Sequence, residues 1–291
     1  MQQETTKEIL NNGVQRNLIL YFSGTGNCYS IAKRLAEISG GAKTVRITPQ
    51  LVEEAEKGGK SFAAQKVIIV FPAYAYGMPP VMYGFFKRVA IISPYIAVIV
   101  SHGTKYGAAL SQTKRQARKC GTDIKGYFDI KSVENFAPIF GLPSDAEIKI
   151  QTEEQYNQTE IIAEKIKENT LNKVKRGFYL PYGFVSGIFR LFRPLLNCSF
   201  IISDKCVKCG LCAKKCPAAA LVFTSGEKPK LKRRKCQCCQ GCINVCPKQA
   251  ITFAGMRKSR RRYLHPDFQQ AAGSLSDKSN GSDTETEADN S

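Results

Sequence analysis

Eight of the twelve cysteines follow one spacing that occurs twice. The first run is Cys206, Cys209, Cys212 and Cys216, followed by Pro217, and the second is Cys236, Cys239, Cys242 and Cys246, followed by Pro247. Both read C-x₂-C-x₂-C-x₃-C-P, and they are offset by 30 residues. The match continues beyond the cysteines, since Ala220, Leu221 and Phe223 correspond to Ala250, Ile251 and Phe253. This internal repeat predicts a small module with pseudo-twofold symmetry.

Thiolates grouped in this way are typical metal ligands. Three cysteines at x₂, x₂ spacing wrap a turn of chain around one iron–sulfur cubane and leave one corner for a distant thiolate. Zinc is the alternative, but zinc sites usually use two separated C-x₂-C pairs. The spacing therefore favours [4Fe–4S] clusters over zinc. Cys238 fits neither frame, and we expect it to be a thiol beside a cluster.

Residues 203–253 resemble bacterial-type two-cluster ferredoxins, because eight cysteines and both prolines match. The resemblance implies a small α+β domain at 203–255 that holds two [4Fe–4S] clusters. In such ferredoxins the fourth cysteine of each run binds the other cluster. One cluster would then be held by Cys206, Cys209, Cys212 and Cys246, and the other by Cys236, Cys239, Cys242 and Cys216.

A glycine-rich turn stands near the start of the chain, between the apolar run NLIL and the helical pattern IAKRLAE. Its residues are Ser23, Gly24, Thr25, Gly26, Asn27 and Cys28. The free amides and the dipole of a helix that begins in such a turn attract an anion. A dinucleotide fingerprint needs a third glycine where Tyr29 stands, and a P-loop needs a Lys-Ser/Thr pair that does not follow. The turn therefore favours neither of these two nucleotide classes.

Short β-rich runs alternate with amphipathic runs over residues 17–169. We predict strands at 17–22, 43–47, 66–71, 95–101 and 126–132, and helices at 28–39, 80–89, 107–119 and 153–169. This alternation indicates an α/β fold with a doubly wound parallel sheet. Ligands of such sheets bind beyond the carboxyl ends of the strands. We therefore expect the turns at 23–27, 72–80 and 101–107 to form one site.

The pattern hydroxyl-x-Thr-Gly-Asn after a first strand resembles the FMN phosphate loop of flavodoxins. The resemblance implies five parallel strands in the order 2-1-3-4-5 and FMN bound by residues 23–28 and two later loops. Those loops contribute Ala73, Tyr74, Ala75, Tyr76 and Gly77, and also Ser101, His102, Gly103, Thr104 and Tyr106. Either tyrosine of 74–76 could stack on the flavin or simply pack, His102 could be purely structural, and Gly77 could offer a backbone hydrogen bond. Cys28 stands where flavodoxins usually have a hydroxyl, and a thiol is a weaker donor.

Positive charge is concentrated in the part of the sequence that follows the first domain. The chain has 43 Lys and Arg against 24 Asp and Glu, and residues 176–255 alone have 14 against 2. We divide the chain into a polar segment 1–16, a flavodoxin-like domain 17–175, an apolar and basic connector 176–202, the ferredoxin-like domain 203–255, and a disordered tail 256–291. The basic surface suits an acidic redox partner. Nucleic acid is not expected, because the run RKSRRR at 257–262 comes without a recognisable binding module.

We expect a cytoplasmic protein without a transmembrane span. The N-terminal segment has no apolar signal region, and residues 177–203 are interrupted by Arg190, Arg193 and Pro194. Clustered thiols favour a reducing compartment, and oxygen-sensitive clusters favour an anaerobic organism. The connector is expected to pack on one or both domains, with weak contact to a membrane surface as the alternative.

A flavodoxin-like domain followed by a two-cluster ferredoxin resembles the flavodoxin–ferredoxin fusion family. The resemblance implies electron transfer between FMN, two [4Fe–4S] clusters and an external redox partner. An FMN-dependent reductase of a quinone, nitro compound or disulfide, supplied through the ferredoxin domain, is the alternative. No residue is singled out as catalytic, and the sequence predicts neither the direction of electron flow nor the oligomeric state.

Overall fold

A computed structural model of the chain describes residues 16–59, 61–136, 141–174, 180–196, 200–253 and 261–269. The first part contains strands β1 (Asn17–Tyr21), β2 (Lys43–Arg46), β3 (Ser61–Ala63), β4 (Lys66–Pro72), β5 (Ala90–Ile92), β6 (Tyr95–His102) and β7 (Gly126–Lys131). Its helices are α1 (Asn27–Ile38), α2 (Pro49–Gly58), α3 (Pro80–Arg88), α4 (Ala109–Lys119) and α5 (Asp145–Lys167). The connector forms α6 (Leu180–Leu196), and the cysteine-rich part contains β8 (Phe200–Ile202), α7 (Leu211–Lys214), β9 (Leu221–Val222), β10 (Lys230–Leu231), α8 (Gly241–Val245) and β11 (Ile251–Phe253).

Five strands of the first part form one sheet in which every pairing is parallel. Their order is β2-β1-β4-β6-β7, which is 2-1-3-4-5 when these five strands are numbered alone. The strands β4 and β6 read VIIVF and IAVIV because they are buried on both faces. One core lies under α2, α3 and α4, and a second lies under α1 and α5. The predicted doubly wound α/β fold and its strand order are confirmed.

Three elements of this part differ from the sequence-based expectation. Helix α2 and the parallel pair β3–β5, which lies outside the main sheet, were not predicted. Helix α5 begins at Asp145 rather than near residue 153, because Ser144 and Glu147 form a reciprocal capping box at its N-terminus. The signal was present in the sequence as S-D-A-E at 144–147.

The backbone of the cysteine-rich part carries the duplication that the sequence predicts. Left-handed φ angles occur at Lys208 (57°), Gly210 (69°) and Ala219 (44°), and again 30 residues later. The corresponding angles are 56° at Cys238, 62° at Gln240 and 47° at Gln249. The outer strands β8 and β11 pair antiparallel, and β9 pairs with β10. The two halves are therefore equivalent in conformation as well as in cysteine spacing.

Residues 261–269 are ordered, which differs from the expectation of a disordered tail from residue 256 onward. Tyr263, His265 and Phe268 are buried, and residues 266–269 form a helical turn. The Tyr263 hydroxyl donates to Asn27 Oδ1 at 2.8 Å, and the His265 amide donates to the Thr25 carbonyl at 2.9 Å. This docked segment was not recognised because a run of basic residues precedes it. The remaining tail, most of RKSRRR and residues 1–15 lie outside the described residues.

The docked segment should make stability depend on pH. Burial lowers the pKa of His265 to about 4, although Asp267 opposes the shift. Burial raises the pKa of Asp267, but hydrogen bonds from Ser30, Lys33 and Tyr156 outweigh it and lower the pKa. Both groups therefore bind protons more readily in the unfolded chain, so the free energy of unfolding falls as the pH decreases below about 6.5. For His265 we expect a loss of roughly 2 kcal/mol by about pH 5.

Urea unfolding between about pH 7.5 and about pH 5 measures this dependence. His265→Gln should flatten the curve. Equal slopes for the His265→Gln variant and the unsubstituted protein would contradict the assignment.

Candidate cofactor sites

The turn between β1 and α1 has the local structure of an anion site. Gly26 adopts a left-handed φ of 109°, and α1 begins directly after it. The Gly26 amide donates to Ser23 Oγ at 3.1 Å, and Ser23, Thr25 and Asn27 are buried. Any side chain at Gly26 would also collide with the docked segment, because its Cβ would lie 2.8 Å from the Cβ of His265. The turn is thus held in this conformation by its internal hydrogen bond and by the docked segment.

A cavity of about 420 Å³ lies beyond the carboxyl ends of the strands. Thirteen of the sixteen residues predicted to bind the flavin line it, namely Ser23, Gly24, Thr25, Asn27, Cys28, Ala73, Tyr74, Ala75, Tyr76, Ser101, His102, Gly103 and Thr104. The other three, Gly26, Gly77 and Tyr106, do not line it. The Gly77 carbonyl instead accepts from the Tyr74 amide at 2.9 Å, and the Tyr106 ring packs against His102 at 5.6 Å between centroids.

The loop after β4 is a two-residue turn held in an unusual conformation. Ala75 and Tyr76 have φ angles of 45° and 63°, a region that favours glycine. Reciprocal hydrogen bonds of 2.9 Å between Tyr74 and Gly77 close the turn. Strain of this kind costs roughly 1–2 kcal/mol per residue and is concentrated at functional sites. Here it holds both tyrosines at the cavity wall.

Both tyrosines also have packing partners. The Tyr74 ring meets Phe22 edge-on at 6.2 Å, and the Tyr76 ring meets Tyr182 of α6 at 5.1 Å. Each tyrosine therefore packs against an aromatic neighbour and also lines the cavity, while stacking on a flavin stays a prediction.

His102 contributes a polar group to the cavity wall. Its Nε2 lies 3.1 Å from Asp129 Oδ2, while its buried Nδ1 has no hydrogen-bond partner among the described residues. A buried polar atom without a partner is costly, and a bound polar ligand would satisfy it. The cavity is therefore suited to a ligand with hydrogen-bonding atoms.

Cys28 lines the cavity, but its thiol belongs to the core between α1 and the sheet. Burial raises the pKa of Cys28, and a hydrogen bond with Ser101 opposes the shift only in part. The thiol is thus neutral and engaged with Ser101.

The loop after β7 was not predicted to form part of the site, yet Val133, Glu134, Asn135 and Phe136 line the cavity. The Val133 carbonyl accepts from Asn27 Nδ2 at 3.0 Å, and Asn135 Nδ2 donates to Thr25 Oγ1. The Asn27 side chain is therefore occupied by Val133 and Tyr263. Ligands of doubly wound sheets bind beyond the carboxyl ends of the strands, and β7 is one of these strands. The same rule therefore predicts that the loop after β7 forms part of the site.

The first predicted cysteine set comes together around a small cavity, which is lined by Cys206, Cys209, Cys212 and Cys246. Burial raises the pKa of Cys212 to about 11, and Cys246, Cys209 and Cys206 add to the shift. The cysteine that belongs to the second run is therefore a direct electrostatic neighbour of the first three.

The cysteines of the second predicted set are also electrostatic neighbours. Burial raises the pKa of Cys239 to about 12, with Cys216 and Cys236 adding to the shift. Burial also raises the pKa of Cys242, and four cysteines add to the shift, namely Cys239, Cys236, Cys216 and Cys212. Amides donate to sulfur at equivalent positions of the repeat, from Ala220 to Cys216 and from Ala250 to Cys246, both at 3.3 Å. These neighbourhoods are consistent with the crossed arrangement that the ferredoxin resemblance implies, and the assignment of ligands stays a prediction.

Within the described ranges, no three His, Cys, Asp or Glu side chains converge closely enough to hold a metal ion. The mutual pKa effects described above thus show which cysteine side chains lie near one another, and they give no metal geometry.

The two sites adjoin. The turn between β1 and α1, residues 23–28, is called the phosphate turn below. It shares its cavity with Cys238, Cys239 and Gln240. A Cβ on Gly24 would clash with the Cys239 carbonyl and lie 3.1 Å from Cys239 Sγ, and a Cβ on Gly241 would lie 2.7 Å from the Gly24 carbonyl oxygen. The backbone turns of the two parts are thus in direct contact, and Gln237 Oε1 accepts from the Val81 amide at 3.0 Å nearby.

Among known protein families, one matches the cysteine-rich part of the chain. The 4Fe-4S binding domain family (Fer4) matches residues 200–222. No curated protein matches the chain.

Several solved structures are similar to part of the chain. Two-electron reduced flavodoxin from Megasphaera elsdenii shares 20% identity with a TM-score of 0.32, covering 51% of this chain and 98% of that one. A putative flavoprotein from Bacteroides uniformis shares 14% identity with a TM-score of 0.32, covering 40% and 91%. A flavoprotein in complex with FMN from Lactobacillus acidophilus shares 12% identity with a TM-score of 0.29, covering 40% and 93%.

The chain therefore joins a sheet with the flavodoxin strand order to a 4Fe-4S binding domain, an arrangement that is consistent with a flavodoxin–ferredoxin fusion.

Proposed function

We propose that this protein is an electron-transfer iron–sulfur flavoprotein, in which residues 17–175 hold FMN and residues 203–255 hold two [4Fe–4S] clusters. One observation carries the proposal: the phosphate turn and the second cysteine run line the same cavity. A flavin in that cavity and a cluster on Cys239 would be separated by little more than the contact between Gly24 and Cys239. Tethering both cofactor sites on one chain also makes transfer between them independent of dilution.

The FMN part of the proposal is supported by the shape and chemistry of the cavity. Its volume of about 420 Å³ lies in the range of small-molecule sites. The amides at the start of α1 suit the phosphate, and the strained turn at 74–77 presents aromatic surface for a flat ring. His102 Nδ1 offers the ring or its side chain a hydrogen-bonding atom.

The two cysteine sets differ in their exposure. Cys209 of the first set is exposed, whereas Cys239 of the second set lies against the flavin cavity. We infer that the first cluster exchanges electrons with an external protein and that the second connects it to FMN. The clusters supply single-electron transfer and FMN supplies one- or two-electron chemistry, while the chain fixes their order and spacing.

The external partner is proposed to be an acidic redox protein. The exposed Lys205, Lys208 and Lys214 surround the first cysteine set. Association through such charges is fast at low ionic strength and weakens as salt screens them. Stopped-flow oxidation of the reduced protein by an acidic bacterial ferredoxin should therefore slow as sodium chloride is added.

Anaerobic purification with assays of iron, sulfide and flavin tests the proposal. About eight iron atoms, about eight sulfides and one FMN per chain are expected. Stepwise reduction should give EPR signals of reduced clusters and bleaching of the flavin absorbance. Stoichiometric zinc in place of iron, or a chain without flavin, would overturn it.

A reductase of a small acceptor is the second candidate, because His102 lines the cavity, lies against Asp129, and could supply a proton. Steady turnover of menadione by the reduced protein, faster than with free FMN and reduced by His102→Gln, would favour this reaction over a carrier role.

A further inference from the structure

Helix α6 is amphipathic, but its apolar side chains face away from the protein. An ordinary surface helix turns its apolar side chains toward the core. Leu180, Phe184 and Leu191 are 75%, 70% and 72% exposed, and Ile188 and Leu195 are also exposed. These five positions recur at intervals of three or four residues, so they form one stripe along the helix. Among the described residues, nothing covers this stripe.

The opposite face of α6 holds the helix to the protein through polar contacts. Gln112 Nε2 donates to Ser186 Oγ at 2.6 Å, and the Arg190 guanidinium lies 4.7 Å from the centre of the Tyr83 ring. Arg193 donates to the carbonyls of Cys236 and Arg234 at 2.6 and 3.1 Å. The orientation of α6 is therefore fixed by specific bonds, and the apolar stripe cannot turn inward without breaking them.

A basic cluster lies beside the same helix. The Arg193–Arg234 contact places the exposed residues 232–235, with the sequence KRRK, beside the C-terminal half of α6. Apolar side chains on one helix face next to a group of lysines and arginines are typical of helices that lie in the interface of an anionic membrane.

We propose that helix α6 docks in the plane of an anionic lipid bilayer, with Phe184, Leu191 and their neighbours among the acyl chains and the KRRK cluster against the lipid phosphates. A second copy would bring the same basic cluster and the same net charge of +19 against this surface, whereas lipid phosphates neutralise it, so an anionic lipid surface fits better than a second copy. No helix among the described residues is long and apolar enough to cross a membrane, which is consistent with binding in the plane.

Docking has a consequence for the flavin cavity. Val185 and Phe189 of the same helix line that cavity. A bilayer against α6 would therefore lie next to the cavity, which suits exchange with an acceptor dissolved in the membrane. The docking itself requires neither cofactor, so it can be tested separately from the proposed electron transfer.

Co-sedimentation with lipid vesicles tests the proposal. The full chain with its cofactors should bind equimolar phosphatidylglycerol and phosphatidylcholine vesicles, and bind phosphatidylcholine vesicles less. The double variant Phe184→Glu/Leu191→Glu should bind at least roughly tenfold more weakly. Ile161→Glu, which changes a 57% exposed apolar residue on α5, is the matched control and should bind normally. Lys232→Glu/Lys235→Glu should weaken binding to the anionic vesicles alone, by roughly fivefold or more.

Circular dichroism and flavin content would show whether each variant is folded, and Leu191→Ser provides a milder change if the double variant is not. Failure of the unsubstituted protein to bind anionic vesicles, or equal binding by the double variant, would overturn the proposal. A concentration-dependent dimer that the same substitutions abolish would do so too, because it would identify a second copy as the occupant.

Discussion

Replacing Cys239 by alanine should remove the cluster beside the flavin while leaving the outer cluster in place. Cys239 lines the flavin cavity and lies near Cys216 and Cys236, whereas the first set surrounds a separate cavity. Loss of one of the four ligands should remove this cluster or reduce it to a three-iron cluster, so iron should fall below about eight atoms per chain. Electrons introduced at the outer cluster should then fail to reach the flavin. Iron and sulfide assays with EPR of the dithionite-reduced protein measure both effects.

Cys238→Ala is the matched control, because Cys238 adjoins Cys239 but lies outside both sets. It should retain the full iron content. Cys216→Ala tests the crossed arrangement, since its EPR spectrum should resemble that of Cys239→Ala rather than that of Cys206→Ala. Retention of all iron by Cys239→Ala, or equal loss in the Cys238 variant, would refute the assignment of ligands.

The parts of the fold that the sequence predicts are those in which one local signal determines one local structure. The strands β4 and β6 are continuous apolar runs, since both faces of a central parallel strand are covered by helices. The flavin cavity follows from a rule of topology, because loops at the carboxyl ends of parallel strands converge. The repeat of eight cysteines likewise predicts the repeat of left-handed backbone angles, since the chain must turn in the same way around equivalent thiols.

The parts that could not be predicted depend on contacts between distant segments. Tyr263 and His265 pack on the phosphate turn, and their sequence shows only that a basic run is ending. The periodicity of α6 reveals an amphipathic helix but leaves open which face meets the protein. Only the bonds made by Ser186 and Arg193 settle that the polar face points inward. Such contacts arise from tertiary packing, for which a single sequence offers no local pattern.

Gly24→Ala is expected to have the largest effect on the coupling of the two cofactor sites. A Cβ at Gly24 would clash with the Cys239 carbonyl and lie 2.8 Å from the Cys239 Cβ. Both partners are backbone turns with little freedom to move, so the two parts must separate or one turn must deform. Crowding of this kind destabilises proteins by roughly 1–3 kcal/mol. Because alanine keeps the amide, FMN binding should weaken less than electron transfer between the cluster and the flavin, which should slow.

Gly58→Ala is the control, because that glycine ends α2 and a Cβ there meets nothing within 4 Å. It should leave stability unchanged or raise it by up to about 1 kcal/mol. Gly241→Ala approaches the same contact from the other side, with its Cβ 2.7 Å from the Gly24 carbonyl oxygen, so it should resemble Gly24→Ala. Urea unfolding and flash-induced reduction of the flavin compare the three variants. If Gly24→Ala matches Gly58→Ala in both measurements, the close contact between the turns does not exist in solution, and the direct route from cluster to flavin is excluded with it.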